Sequence, residues 1–383
     1  MMAWGEETVM SNKVKFISRV LEKEVAFSKL CNEFNISREC GYKWLKRYRE
    51  EGAKGLEEKS RKPHACPHKT SSIFEQKILE IRDKHPAWGA RKIRAYLMRR
   101  NVIGLPNPST ITRILHRHQR IEEEKSIKHK AFIRFEHENP NQLWQMDFKG
   151  HFGMQFGRCH PLTLLDDHSR YALDVRACAN EQALTVKEAL INIFREYGLP
   201  ERMTMDNGAP WSSRERSGYS NLEIWLICLG IHISHSRPFH PQTQGKDERF
   251  HRSLKEELLD RNLFKDLKDA QRTFDEWRCF YNHERPHEAL GMLSPASRYQ
   301  NSKREYPEKL PYIDYPSGSV VRRVCCKGGI RYEGTRYFIS ESMKGLLVRL
   351  IESQRDGIFD VYLAHQKVKE IDLINKVAAK KIV

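Results

Sequence analysis

Apolar residues recur three and four apart through the first third of the chain, which predicts helices. Val14, Ile17, Val20 and Leu21 mark one amphipathic stretch. Leu30, Phe34 and Ile36 follow; Ser37 is then placed to cap a helix carrying Tyr42, Trp44, Leu45 and Tyr48. With a turn around Asn35 and the cations Lys43, Lys46, Arg47 and Arg49 on the second helix, this is a helix-turn-helix pattern. Its second helix suits a major groove. A plain three-helix bundle with a solvated basic face gives the same pattern. Residues 55–70 are polar, aperiodic and contain two prolines, as a linker does. His64, Cys66 and His68 within it lack the paired spacing of a zinc site.

Residues 71–118 repeat the theme. A capped helix stops at Pro86; a second places Trp88, Ile93 and Leu97 inward and Arg91, Lys92, Arg94, Arg99 and Arg100 largely outward. A third, with Ser109 as its expected cap, exposes Arg113, Arg117 and Arg120. Near residue 140 the period drops to two. QLWQMDFKGHF and HPLTLLDDHSRYALDVRAC predict strands, followed by alternating helices and strands and then two long helices. After a proline-containing linker come short strands with turns at Gly328-Gly329, Gly334 and Asp356-Gly357, expected to form a small antiparallel barrel.

The expected class is therefore α/β: a mixed-sheet core between all-α helix-turn-helix domains and a small β-barrel-like domain. The expected segments are 1–54 (first helix-turn-helix), 55–70 (linker), 71–120 (second helix-turn-helix), 121–139 (connector), 140–300 (core), 301–318 (linker) and 319–383 (β domain).

Charge sharpens the picture. The net charge of +17 divides into +12 over 1–139, −1 over 140–300 and +6 over 301–383. Basic flanks around a neutral centre suit a polyanion partner. No run of ~18 apolar residues exists, so a transmembrane helix is excluded, and the first residues do not resemble a secretory signal. Nine irregularly spaced cysteines read as reduced thiols of a cytoplasmic protein.

Three carboxylates carry the candidate chemistry. Asp147 lies inside an apolar strand, between Met146 and Phe148, where a charge is costly unless paired or bound to metal. Asp206 ends the strand-like run MTMDNG, and Glu248 starts a helix after the turn PQTQGKD. Such donors offer oxygen only, which suits Mg²⁺ or Mn²⁺. Two ions ~3.5–4 Å apart stabilise the attacking and leaving oxygens of a phosphoryl displacement. Taken singly, each residue has an ordinary explanation as a turn former or helix-start acid.

The surroundings change that. WQMDF (144–148), TLLDDHSRY (163–171), MDNG (205–208), SRPFHPQTQGKDERFH (236–251), YNHERPH (281–287) and LSPASRY (293–299) occur in order. Together they resemble bacterial insertion-sequence transposases of the retroviral-integrase-like DDE superfamily. The resemblance implies an RNase H-like core with a catalytic, metal-holding triad at Asp147, Asp206 and Glu248 and two Mg²⁺ (or Mn²⁺) ions. It also implies double-stranded DNA partners, both element ends and target, a dimer or higher homo-oligomer, and a cytoplasmic, nucleoid-associated location. Forty-one residues separate Asp206 from Glu248, somewhat more than the family's usual ~35, and the surplus falls in WSSRERSGYSNLE. Trp211 stands where Phe or Tyr is commoner.

Asn207 either steadies Asp206, meets a DNA end or simply forms the turn. Gln244 and Lys246, in the segment feeding Glu248, and Arg249 and Arg252 are expected at phosphates. Lys43, Lys46, Arg47, Arg91, Lys92, Arg113 and Arg117 are the expected DNA contacts of the helical units. Asp166 and Asp167 read as hairpin residues, His168 as structural, and Arg285 to His287 as a brace behind the site. The implied activity is 3′-end cleavage at terminal inverted repeats and strand transfer into target DNA. A catalytically silent DNA-binding regulator, or a nuclease that cuts without joining, are the alternatives.

Overall fold

The computed structural model describes residues 9–58, 70–121, 136–206, 208, 210–211, 218–235 and 241–374. They fall into two compact units, divided at Lys69/Thr70. In the first, α1 (Val9–Glu22), α2 (Phe27–Glu33) and α3 (Arg38–Glu51) enclose Phe16, Ile17, Leu30, Cys31, Trp44 and Leu45, and Leu56 completes that core. Ser37 caps α3 as expected, its hydroxyl accepting from the Cys40 N–H at 3.1 Å. Asn35 takes the left-handed turn at φ 52°. Gly41 is required where the helices cross, since a Cβ there would lie 2.9 Å from Cys31 Sγ. Val14 and Leu21 face solvent, while Phe16 and Ile17 form the buried stripe of α1.

The second unit begins with α4 (Ser72–Lys84), α5 (Ala90–Arg99) and α6 (Pro108–Arg117), packed around Ile78, Trp88, Ile93, Tyr96, Leu97, Ile111 and Leu115. The expected cap at Ser109 lies two residues too late: Asn107 occupies the N-cap and Pro108 the first helical position. A proline is suited there because its missing N–H would have no helical partner.

Six strands form the central sheet: β1 (Leu143–Phe148), β2 (Phe152–Gly153), β3 (Arg158–Asp166), β4 (Ala172–Cys178), β5 (Arg202–Met205) and β6 (His232–His235). β3 pairs antiparallel with β1, β2 and β4, whereas β1–β5 and β5–β6 are parallel. This is the mixed sheet that the change of period predicts. Alternation sorts its two faces. Trp144, Met146, Leu162, Leu164, Met203 and Met205 pack with α7 (Ala183–Tyr197) and α8 (Asn221–Cys228). Cys159, Leu165 and Val175 pack with α9 (Pro241–Glu257) and α10 (Leu267–His283) through Phe250, Leu254, Phe274 and Trp277.

The C-terminal strands are β7 (Val320–Arg323), β8 (Gly329–Tyr332), β9 (Thr335–Phe338), β10 (Leu347–Glu352), β11 (Ile358–Leu363) and β12 (Gln366–Asp372). The expected barrel does not close. Four of them form an open antiparallel sheet in the order β12-β11-β10-β7, and β8–β9 is a separate hairpin. Apolar residues of this region join the core beneath α7 and α8, so packing against a neighbour replaces closure as the means of burying the sheet.

Candidate active site

The parallel register of β1 and β5 sets Gln145 against Thr204. Two residues further along, the same register brings Asp147 opposite Asp206, on the face that looks toward α9. Burial is the chief cause raising the Asp147 carboxyl to about 6, and the nearby charge of Asp206 pushes the same way. The two aspartates expected from the sequence are therefore brought together.

Asp147 also has an unexpected support. The Thr163 hydroxyl donates to its carbonyl oxygen at 3.0 Å and lies 2.8 Å from His251 Nε2. Thr163 has one proton to give, so His251 must be the donor in the second bond. Burial, reinforced by the charge of Lys149, lowers His251 to about 4, so the imidazole is neutral. Its Nδ1 lies 3.9 Å from Asp147 Oδ2. At Asp206, the backbone carbonyl meets His235 Nδ1 at 3.3 Å, and His235 Nε2 contacts the buried Glu223 at 2.8 Å. The hydrogen bond to Glu223 raises His235, favouring the imidazolium. Trp211, wholly buried, stacks on Phe148 beside Asp147 with ring centroids 5.5 Å apart.

The third carboxylate behaves differently. The segment read as a turn before Glu248 is helical: α9 begins at Pro241, again with proline in the first turn. Lys246, expected at a phosphate, is instead an ion-pair partner of Asp167 at 2.5 Å, with side chains 9% and 2% exposed. Asp247 faces inward; burial and then the charge of Asp147 raise its carboxyl well above the usual range. Glu248, about 100° further round the helix, is exposed together with Arg249, Arg252 and Lys255. Among the described residues no three ligand-type side chains are gathered to hold a metal. The oxygen-only chemistry of Asp147 and Asp206 fits a hard divalent cation, and Glu248 is not brought to them.

One other expectation is corrected by burial. Lys92 does not point outward: it packs beside Arg285, Glu257 and Glu288, and burial, with the Arg285 charge, lowers it to about 8. Arg91 pairs with Glu288, and Arg100 with Glu284 at 2.6 Å, so α5 faces the segment after α10. Arg117 pairs with Glu75 at 2.6 Å. Arg47 lies over the Trp44 ring, 5.1 Å from its centroid. Lys43, Lys46 and Arg113 are exposed. Asn207, the Gln244 side chain, and His64, Cys66 and His68 lie outside the described residues.

The hairpin reading of Asp166 holds, since it accepts from the N–H groups of Ser169 and Asn141, both at 2.8 Å. His168 is structural, its Nδ1 2.7 Å from the His137 carbonyl. Arg285 braces α9 through Glu257 at 2.8 Å. Asp247, His251, Thr163 and the His235–Glu223 pair were not singled out by the sequence. For His251 a signal existed, because its position one helical turn beyond Glu248 repeats the i+3 spacing.

Residues 137–241 and 229–295 match two "Integrase core domain" families. Residues 12–64 match a "Helix-turn-helix domain" and 40–115 a "Homeodomain-like domain". Residues 319–379 match "IS481 family transposase, C-terminal domain". The chain is 25% identical over 238 residues to the insertion element IS407 uncharacterized 31.7 kDa protein of Burkholderia multivorans, covering 61% of this chain and 82% of that one. It is 25% identical over 345 residues to the transposase for transposon Tn552 of Staphylococcus aureus, covering 77% and 68%. Among solved structures, the HTLV-2 integrase catalytic core domain in complex with magnesium aligns at 18% identity over 43% of this chain and 99% of that one. Its TM-score is 0.33, a likeness too loose to add to the fold described above.

Proposed function

The chain belongs to the insertion-sequence transposases with an integrase core, which are polynucleotidyl transferases, and from that premise we propose that it acts at the terminal inverted repeats of a mobile element. In this reading it cleaves the element's 3′ ends and joins them to target DNA. Asp147, Asp206 and Glu248 are the proposed holders of two Mg²⁺ or Mn²⁺ ions. Such ions, when bound, neutralise charge on a phosphodiester and make water a stronger nucleophile. The protein's own part is to orient Asp147 and Asp206 and hold them side by side. Thr163 holds the Asp147 backbone and His235 the Asp206 backbone. No covalent protein–DNA bond is needed, because the freed 3′-hydroxyl is itself the second nucleophile.

The helical units are the proposed DNA grips. Lys43 and Lys46 on α3, Arg113 on α6, and Arg249 and Arg252 on α9 are the proposed phosphate contacts. Handling two element ends calls for a dimer or larger assembly, and the DNA substrate implies work at the nucleoid. No described helix is long and apolar enough to cross a membrane.

The single observation that carries the reading is the parallel register of Gln145 with Thr204, which two residues further along sets Asp147 against Asp206. The exposed, ungathered Glu248 favours a second reading, a silent DNA-binding regulator. Incubating the full chain with pre-cut element ends, Mg²⁺ and a supercoiled target tests both. Joined products support the transposase, cleavage alone a nuclease, and binding alone the regulator.

A further inference from the structure

We propose that Asp167 is a positioning residue: by gripping Lys246, it fixes the turn of α9 that carries Glu248. This deepens the reading above and rests on it. Asp167 lies in the turn between β3 and β4 and is held before it grips anything. Its carboxylate accepts from Gln145 Nε2 at 2.9 Å and from the His137 N–H at 3.1 Å. Gln145 is on β1, two residues before Asp147 and on the same face. The strand that presents Asp147 therefore also anchors Asp167.

Lys246 reaches this anchor twice, through the buried ion pair at 2.5 Å and through the Asp167 carbonyl at 3.2 Å. One turn and a half further along, His251 reaches Thr163 on β3 at 2.8 Å. The two attachments flank Glu248 on the helix and both end on β3 or its turn. Two fixed points set the height of a helical segment as well as its rotation. The far end of α9 has its own fastening, since Glu257 is bound by Arg285 at 2.8 Å. Loss of the Asp167 grip therefore loosens the start of the helix and leaves its packed end in place. A buried cation without its partner is strongly unfavourable, so Lys246 is expected to leave the site when Asp167 loses its charge.

The test uses the full chain and the variants Asp167→Asn, Lys246→Met, Lys246→Arg and the double variant Asp167→Asn/Lys246→Met. Metal-free amide hydrogen exchange is read over Gly245–Arg252, with Ala270–Trp277 of α10 as the internal reference. Exchange over Gly245–Arg252 is expected to rise at least about tenfold in Asp167→Asn with the reference unchanged. The Kd for end DNA is expected to stay within about twofold. Lys246→Arg should recover more than Lys246→Met, and the double variant should be no worse than either single one. Unchanged exchange in Asp167→Asn, or equal loosening of both helices, overturns the positioning role. If the unsubstituted chain cleaves and joins nothing, the transposase reading fails instead, and the exchange comparison still decides the grip.

Discussion

Asp147 stands on β1 and Asp206 one residue past the end of its parallel neighbour β5, and the register of the two strands carries them side by side, whereas Glu248 stands near the start of a helix held by contacts from distant parts of the chain. The strand pair needs only backbone hydrogen bonds and alternation to be aligned. The helix needs Lys246 to find Asp167, 79 residues away, and His251 to find Thr163, 88 residues away. One half of the site is thus fixed by the sheet itself, and the other by side chains that a single substitution can release.

The largest effect expected from breaking the strand-borne half comes from Asp147→Asn. Joining should fall by about three orders of magnitude, ~4 kcal/mol of barrier, with end-DNA binding retained in a gel-shift titration. The helix-borne half is sharpened by pairing Glu248→Gln with Asp247→Asn. The first should cost at least about 100-fold in joining rate. The second, which removes an inward carboxyl outside the proposed triad, should cost less than about tenfold. A larger loss for Asp247→Asn than for Glu248→Gln would move the third metal-holding role to Asp247.

The strand-borne pair also carries a pH signature. The folded chain keeps the Asp147 proton up to about 6, above the ordinary value of 3.8. Between these values the folded state binds more proton than the unfolded one, so this group's contribution to stability falls as pH rises. The metal-free Tm gained on going from pH 7 to pH 5 should be smaller in Asp147→Asn than in the unsubstituted chain. Because protons compete with cations, Mg²⁺ affinity should weaken by about tenfold over the same interval. The smallest effect belongs to Arg113→Ala on α6: end binding two- to threefold weaker and the salt dependence shallower by roughly one unit.

These differences explain what could be read from residues alone. The apolar alternation of LWQMDF and the MTMDNG strand end placed Asp147 and Asp206 on or at the end of strands, because period two needs no knowledge of partners, while only the family resemblance of the surrounding motifs singled them out as a pair. Ser37 disclosed α3 because a cap acts within its own turn. Lys246 and Lys92 were misplaced for the opposite reason. A lysine looks the same whether it meets a phosphate or a buried carboxylate, and their acidic surroundings come from elsewhere in the fold. PQTQGKD resembled a turn although Pro241 opens a helix, since proline suits both. The C-terminal strands were visible one by one, but whether a sheet closes depends on which edges pair, and here β12 and β7 stay apart.

Mn²⁺ titrated into the full chain bound to pre-cut element ends, with bound ions counted by electron paramagnetic resonance, reads the metal site itself. Two ions should bind, with binding lost or at least about tenfold weaker in each of Asp147→Asn, Asp206→Asn and Glu248→Gln. Unaltered Mn²⁺ affinity in Asp147→Asn and Asp206→Asn would contradict this.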